Sequence, residues 1–160
     1  MNNIYIICVD DQPEVLNALE QDLAIFDEKI NVEVCDSATE AIGLLDEIDE
    51  QGNYVALIIT DQVMPNMTGV ELLSTVVEDG RFDRTQKILL TGLATHKDAI
   101  EAINSGGIDY YIEKPWQKEH IINVVKKELT TYIMNKGLAY EPLLELLDQK
   151  TLYKTLKSNT

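Results

Sequence analysis

The sequence predicts an α/β fold, a (βα)5 unit in which five buried strands alternate with helices. Three observations lead to this prediction. Short apolar runs recur along the chain, and each is about as long as a buried strand. Segments whose apolar residues recur at helical spacing follow these runs. Short polar loops separate the two kinds of segment, and strands joined through helices in this way form a doubly wound parallel sheet with helices on both faces.

The strands are predicted from continuous apolar runs, because a strand that is buried on both faces shows no polar alternation. The third run leads directly into Asp61, which a loop containing Pro65 and Gly69 follows. The five predicted strands are Ile4–Val9, Ile30–Cys35, Val55–Ile59, Lys87–Leu90 and Ile108–Ile112.

The helices are predicted from apolar stripes and from residues that favour helix starts. Pro13 suits a first turn, and Ser37 followed by Glu40 matches a capping box. The first apolar stripe is Val15, Leu16, Leu19, Leu23 and Phe26, and the third is Val70, Leu73, Val76 and Val77. The remaining helices are expected to begin near Thr68 or Gly69, near Thr95 and near Gln117.

Composition narrows the class of protein. A net charge of −15 argues against direct nucleic-acid binding, which needs a basic surface. No apolar run reaches the ~20 residues that cross a bilayer, and the N-terminus shows no secretory signal. Cys8 and Cys35 lie in strand-like runs and are expected to be reduced core residues. These observations predict a cytoplasmic protein that binds neither nucleic acid nor membrane.

The chain is expected to divide into a first domain, residues 1–130, and a helical extension, residues 131–160. Lys136 and Gly137 resemble a helix stop. The segment after Pro142 is predicted to be helical because leucines recur in it: Leu143, Leu144, Leu146, Leu147, Leu152 and Leu156. Two interpretations stay open, since the extension can be an extra helix that packs on the domain or across a dimer, or a linker in a longer protein.

Polar residues stand at the ends of four predicted strands: Asp10 and Asp11, Asp61, Thr91, and Lys114. The carboxyl ends of parallel strands meet at one edge, where ligands bind in open α/β sheets. Three carboxylates at this edge repel one another unless a cation lies among them, and oxygen ligands suit Mg²⁺. The lysine and the threonine add a positive charge and a hydroxyl for phosphoryl oxygens, and a carboxylate can itself attack phosphorus to give an acyl phosphate.

Each of these residues also has an ordinary structural explanation. Asp10 and Asp11 can cap the first helix, and Asp61 can be a turn residue. Thr91 with Gly92 can be an ordinary loop entry, and Lys114 with Pro115 can be a turn at the start of a helix. The functional interpretation is favoured because all of them fall at one edge of one parallel sheet, which structure alone does not require.

Four motifs carry a resemblance when they are taken together and in this order. They are Val9-Asp10-Asp11, Thr60-Asp61-Gln62-Val63-Met64-Pro65 with Gly69, Leu90-Thr91-Gly92, and Tyr111-Ile112-Glu113-Lys114-Pro115-Trp116. Over residues 3–130 the chain resembles the receiver domain of bacterial two-component response regulators. The resemblance implies a flavodoxin-like sheet with strand order 2-1-3-4-5.

The resemblance also implies a role for each matching residue. Asp61 is expected to be the phosphoacceptor, which takes a phosphoryl group from the phosphohistidine of a sensor histidine kinase or a phosphotransfer protein. The expected Mg²⁺ ligands are Asp10, Asp11, Asp61 and the backbone carbonyl of Val63. Thr91 and Lys114 are expected to contact the phosphoryl group, and Tyr111 to be the aromatic ring that moves with it. The added charge then changes the surface formed by the fourth helix, the fifth strand and the fifth helix, and a homodimer is expected to form through that surface or through the extension.

An alternative function is a Mg²⁺-dependent phosphohydrolase with an aspartyl nucleophile and an external substrate. Phosphatase families of this kind typically place an Asp two residues after the nucleophile, where this chain has Val63. We therefore expect no enzyme activity beyond the chain's own phosphorylation and dephosphorylation. Val63 and Leu93 are apolar where many receivers have polar residues, and because these positions flank the path of hydrolytic water, self-dephosphorylation is expected to be slow to moderate.

The remaining candidates for chemistry are expected to be structural. His96 and His120 are too isolated to bind a metal or to transfer phosphate. Trp116 is expected to be a packing residue on the fifth helix, and Tyr110 to lie in the core.

Overall fold

The computed structural model describes residues 2–92, 97, 100–101 and 107–158. Its strands are β1 (Ile4–Val9), β2 (Asn31–Cys35), β3 (Tyr54–Asp61), β4 (Gln86–Thr91) and β5 (Tyr110–Glu113). They form one parallel sheet in the order β2-β1-β3-β4-β5. The predicted fold class and strand order are therefore confirmed.

The α-helices of the described residues connect these strands or follow the last one. They are α1 (Pro13–Asp22), α2 (Ala38–Glu50), α3 (Gly69–Glu78), α4 (Lys118–Lys136) and α5 (Gln149–Ser158), with short 3-10 helices at Ala24–Phe26, Gly80–Phe82 and Glu141–Leu146. The helix predicted to open near Thr95 falls mainly outside the described residues. Leu93 and His96 also lie outside them. Consequently α4 corresponds to the fifth helix of the sequence prediction. Among the described residues, no helix is both long and apolar enough to cross a bilayer.

Two apolar clusters cover the two faces of the sheet. Successive strand residues alternate between them, so Ile6 and Cys8 pack under α1 and α4, whereas Ile7 and Val9 pack under α2 and α3. Cys8 and Cys35 belong to different clusters and are both free, buried thiols. Burial raises the pKa of Cys35 to about 12 and also raises that of Cys8, which keeps both thiols protonated and unreactive.

The helix starts differ in part from the sequence prediction. Ser37 Oγ accepts from the backbone N–H of Glu40, but the Glu40 carboxylate accepts from Asp36 rather than from Ser37, so the predicted capping box is only half formed. The complete box occurs at Thr68, where Thr68 and Glu71 accept from each other's backbone N–H groups. This box fixes the start of the helix that follows Asp61.

Three further details of the prediction were wrong. Val77 was assigned to the buried stripe of α3, yet it is 44% exposed. Phe26 is buried as expected, but α1 ends at Asp22 and Phe26 lies in a separate 3-10 turn. β5 begins at Tyr110 rather than at Ile108. Just before it, the backbone N–H of Asp109 donates to the carbonyl of Lys87 and the backbone N–H of Lys87 donates to the side chain of Asp109, both at 2.8 Å.

The C-terminal extension packs against the same face of the sheet as α1 and α4. Helix α4 continues through Thr131 to Lys136 and stops at Gly137, whose φ of 76° suits glycine. The chain then turns back and buries leucines in the core cluster of that face: Leu143, Leu146, Leu147 and Leu152. The Thr130 hydroxyl accepts from the backbone N–H of Asp148 at 2.8 Å. The extension is helical as predicted, and the division at residue 130 stays a prediction.

Replacing Leu152 with Ala is expected to lower the free energy of unfolding by about 2–4 kcal/mol, because it leaves a cavity in the shared core. Leu152 is only 4% exposed. The matched control is Tyr153→Ala in the same helix, at a residue that is 66% exposed, where a loss below ~1 kcal/mol is expected. Urea denaturation measures both, and equal losses would contradict the packing described for the extension.

A carboxyl group is buried on the inner side of α4. Glu128 is 6% exposed and lies one helical turn from Val124, Val125 and Tyr132. Burial is the main cause that raises its pKa from 4.5 to about 7; the charge of Asp109 adds to the rise and that of Lys127 opposes it. The folded protein therefore binds a proton here between pH 4.5 and 7, whereas the unfolded chain does not.

The stabilisation linked to this proton is complete below pH 4.5 and is lost as the pH rises to about 7. Between pH 5 and pH 8 the wild type is expected to lose about 1–3 kcal/mol more unfolding free energy than Glu128→Gln. Chemical denaturation at the two pH values measures the difference. Glu119→Gln, at an exposed site on the same helix, is the control and should follow the wild type.

Candidate functional site

The polar residues predicted to meet at the sheet edge do stand at strand ends. Asp10 follows β1, Asp61 is the last residue of β3, Thr91 is the last residue of β4, and Lys114 follows β5. Since β3 lies between β1 and β4, Asp61 is at the centre of this edge. The arrangement follows from the parallel sheet, which turns all the strands' carboxyl ends the same way.

Asp10, Asp11 and Asp61 form a compact carboxylate cluster. One oxygen atom from each lies within 4.8 Å of the others. Asp10 is fully buried and Asp61 is 8% exposed, whereas Asp11 faces solvent. The cluster is therefore buried in the protein on the side of Asp10 and exposed to solvent on the side of Asp11.

Lys114 brings a positive charge to this cluster. Its Nζ lies 2.5 Å from Asp61 Oδ1 and 3.4 Å from Asp10 Oδ2. The backbone N–H of Lys114 donates to the carbonyl of Thr91 at 2.7 Å, which ties the lysine to the neighbouring strand. One ammonium group thus contacts two of the three carboxylates, those of Asp61 and Asp10.

Asp10 experiences opposing influences. Its burial raises the pKa of the carboxyl group and the nearby Asp61 adds to this, whereas the backbone N–H of Gln12, at 2.9 Å, and Lys114 lower the pKa. The net direction is upward. A buried carboxylate of this kind is costly unless positive charge compensates it, and the single lysine leaves part of the negative charge uncompensated.

The loop that follows Asp61 lies close against the start of α3. Gly69 permits this approach, because a Cβ atom there would lie 2.2 Å from the backbone oxygen of Asp61. Met64 is buried while Val63 is 66% exposed, so the loop presents Val63 to solvent beside the acidic cluster. A positive φ of 71° at Asn66 turns the chain back toward the helix.

Thr91 and Tyr111 lie on the neighbouring strands. Thr91 is fully buried, and its hydroxyl donates to the carbonyl of Ile112 at 3.5 Å, so it faces β5 in this structure. Tyr111 is half-buried on β5, with its ring stacked on that of Tyr110 at 6.3 Å between centroids. Asp10, Asp11, Asp61 and Lys114 are thus brought together, and these two residues adjoin them through β4 and β5.

Two residues have contacts that the sequence analysis missed. The indole N–H of Trp116 donates to Asp22 at 2.8 Å, so besides packing it ties the segment after Lys114 to α1. The side chain of Gln62 accepts from the backbone N–H of Val70 at 2.8 Å. Gln62 stands inside the motif around Asp61, but its residue type alone does not indicate which partner it binds.

Comparison with known proteins places this arrangement in a family. The family model described as the response regulator receiver domain matches residues 6–126. The hydrogenase transcriptional regulatory protein HoxA of Cupriavidus necator is 36% identical over 122 residues, which are 76% of this chain and 23% of that protein. The chain spans about a quarter of the length of the two HoxA proteins that it matches.

Solved structures give the same result. The signal receiver domain of an HD domain-containing protein from Pseudomonas fluorescens Pf-5 has a TM-score of 0.72 at 28% identity, covering 86% of this chain and 94% of that chain. An uncharacterized protein from Neptuniibacter caesariensis has a TM-score of 0.74 at 28% identity, with 85% and 94% covered.

The family match extends from β1 into α4 and includes every strand end that contributes to the acidic cluster. The resemblance inferred from the four motifs is confirmed, and so is the receiver function rather than the phosphohydrolase alternative. The chain therefore belongs to the response regulator receiver domain family of two-component signalling.

Proposed function

We propose that this receiver accepts a phosphoryl group on Asp61 in a Mg²⁺-dependent reaction, from the phosphohistidine of a sensor histidine kinase or a phosphotransfer protein. The observation that carries the proposal is the 2.5 Å contact between Lys114 and Asp61 beside the carboxylates of Asp10 and Asp11. Membership of the receiver family supports the same reaction. Two relatives that match part of this chain are named as histidine kinases, which supports that class of partner.

The acidic cluster fits a divalent cation. Its donor atoms are carboxylate oxygens, and their total negative charge exceeds the one positive charge of Lys114. The exposed Asp11 leaves one side of the cluster open to water. Mg²⁺ favours such sites, in which a few carboxylates share it with water and phosphate. Asp10, Asp11, Asp61 and the backbone carbonyl of Val63 would hold the ion, which when bound neutralises charge on the phosphoryl oxygens.

The chain's own residues divide the chemistry among them. A carboxylate oxygen of Asp61 attacks phosphorus, the bond from phosphorus to the donor imidazole nitrogen breaks, and an acyl phosphate remains on Asp61. Lys114, already within 2.5 Å of Asp61, pairs with a phosphoryl oxygen. Positioning and charge neutralisation are the main requirements of such a transfer.

Thr91 and Tyr111 carry the change away from Asp61. The hydroxyl of Thr91 exchanges its long, 3.5 Å bond to Ile112 for a bond to a phosphoryl oxygen. Because Ile112 follows Tyr111 on β5, this exchange acts on the strand that holds the Tyr111 ring. The dianionic phosphoryl group on Asp61 thereby favours a second arrangement of Thr91 and of the Tyr111 ring.

The output surface in this proposal includes the exposed side of β5, the edge strand of the sheet. A groove of about 710 Å³ runs along it and is lined in part by Tyr110, Tyr111, Trp116 and His120. The sequence analysis also assigns the predicted fourth helix to this surface, and that helix falls mainly outside the described residues. A homodimer forms either here or through the extension.

The net charge of −15 supports a role without direct nucleic-acid contact, and the two separately buried thiols support a reducing, cytoplasmic location. Val63, two residues after Asp61, has no titratable group that could act as the general acid of a phosphohydrolase. The chain acts as a phosphorylated switch rather than on an external substrate.

Asp61→Asn is expected to abolish covalent phosphorylation, because the amide cannot attack phosphorus. The full chain is incubated with Mg²⁺ and acetyl phosphate, and intact mass spectrometry measures the added phosphoryl group. Glu20→Gln, which removes an exposed acid from α1, is the control and should label like the wild type. Labelling that persists in Asp61→Asn would sink the assignment of the acceptor.

The acyl phosphate is expected to decay slowly to moderately, because the exposed Val63 side chain offers no group to orient the attacking water. Val63→Gln supplies such a group and should hasten decay several-fold, whereas Val63→Leu should leave the rate near that of the wild type. Phosphate release from purified phosphoprotein measures the rates. A wild-type rate as fast as that of the quickest chemotaxis regulators contradicts the expectation.

A further inference from the structure

Gln62 connects two sides of the loop that follows Asp61. It is 8% exposed, although it belongs to a polar residue type and stands at the edge of the sheet. Its backbone oxygen accepts from Gly69 at 3.0 Å, and its side-chain Oε1 accepts from Val70 at 2.8 Å. One residue therefore closes the base of the loop with two hydrogen bonds.

These bonds satisfy backbone groups that a helix start leaves without partners. The first N–H groups of a helix have no partner within it, and in α3 those of Gly69 and Val70 are both taken by Gln62. The next N–H, that of Glu71, is taken by the hydroxyl of Thr68. Helix α3 is thus attached to the loop through Gln62 and capped separately through Thr68.

Gln62, through which α3 is attached to the loop, lies directly beside the acidic cluster. Asp61 precedes Gln62, and Val63, whose carbonyl is a proposed metal ligand, follows it. The start of α3 also lies close against Asp61, since a Cβ atom built on Gly69 would lie only 2.2 Å from the backbone oxygen of Asp61. Because Val63 is the next residue in the chain, hydrogen bonds that hold both the backbone and the side chain of Gln62 restrict where the Val63 carbonyl can point.

We propose that Gln62 is a positioning residue whose side-chain bond to the backbone of Val70 directs the carbonyl of Val63 and so sets the affinity of the acidic cluster for Mg²⁺. The inference rests on the proposed function, because it takes the Val63 carbonyl as a metal ligand. Residues that orient metal ligands without touching the metal commonly change its affinity by an order of magnitude or more.

The test compares variants of the full chain in Mg²⁺ titrations. Gln62→Met keeps the length of the side chain and removes the acceptor, and we expect the Kd for Mg²⁺ to rise roughly tenfold. Gln62→Glu keeps an acceptor at the same reach, so its Kd should return to the wild-type value or fall below it. Fluorescence of Trp116, the sole tryptophan, reports binding, and isothermal titration calorimetry gives the Kd if that signal is silent.

Thr68→Ala is the matched control, because it weakens the start of the same helix through the other cap. We expect it to lower stability while leaving the Kd for Mg²⁺ within about twofold, which separates positioning from a general loss of helix stability. If Gln62→Met fails to fold, Gln62→Ser, which is polar but too short to reach Val70, takes its place.

Two results overturn the inference. A Kd that stays within about twofold of the wild type in Gln62→Met, or one that rises equally in Thr68→Ala, refutes the positioning role alone. A wild-type chain that binds no Mg²⁺ at all refutes the proposed function, and the inference with it. The wild-type titration therefore tells the two failures apart.

Discussion

The contact between the Lys114 ammonium and the Asp61 carboxylate is the interaction on which the site depends. It joins residues 53 positions apart in the chain, at the ends of two strands that have β4 between them. Both residues are held by the sheet, because Asp61 ends a strand that is buried from Val55 onward and the backbone N–H of Lys114 donates to the carbonyl of Thr91. The parallel sheet thus acts as a rigid frame that holds opposite charges at contact distance, beside carboxylates that would otherwise repel one another.

An excess of negative charge gives this frame its chemistry. Three carboxylates and one lysine form a site that favours further positive charge, and the lysine contacts Asp61, the proposed acceptor of the phosphoryl group. A site with this balance can take a hard cation and a phosphate together, since each compensates the other. Asp10 illustrates the cost of the arrangement, because its burial raises its pKa even though Gln12 and Lys114 oppose the rise.

The C-terminal extension covers part of the surface that a partner could otherwise contact. Its leucines share the core beneath α1 and α4, and Thr130 bonds to Asp148, so this segment packs as part of the same body. It covers part of one face of the sheet, where Lys29 also donates to the carbonyl of Pro142. The edge strand β5 lies at the other side of the sheet from β2 and keeps an open groove. A partner can therefore reach the groove along β5 but not the part of the sheet face that the extension covers.

Much of the fold could be predicted because it depends on local patterns. Buried parallel strands read as unbroken apolar runs, and each site residue is adjacent to such a run, so Asp10, Asp11, Asp61 and Lys114 could be placed at one edge. Predictions failed where neighbours in space decide the outcome. Val77 matches the helical period of its stripe, but its exposure depends on how α3 is rotated against the sheet.

The sequence by itself determined the order of elements, the sheet edge on which the chemistry lies and the residue types that meet there. These follow from periodicity and from the handedness of βαβ connections, which leave few alternatives. Only the tertiary structure decided how far Asp10 is buried, that Gln62 bonds to Val70, that Trp116 bonds to Asp22, and that the extension joins the core. Each of these depends on groups that come together only when the sheet and helices have packed.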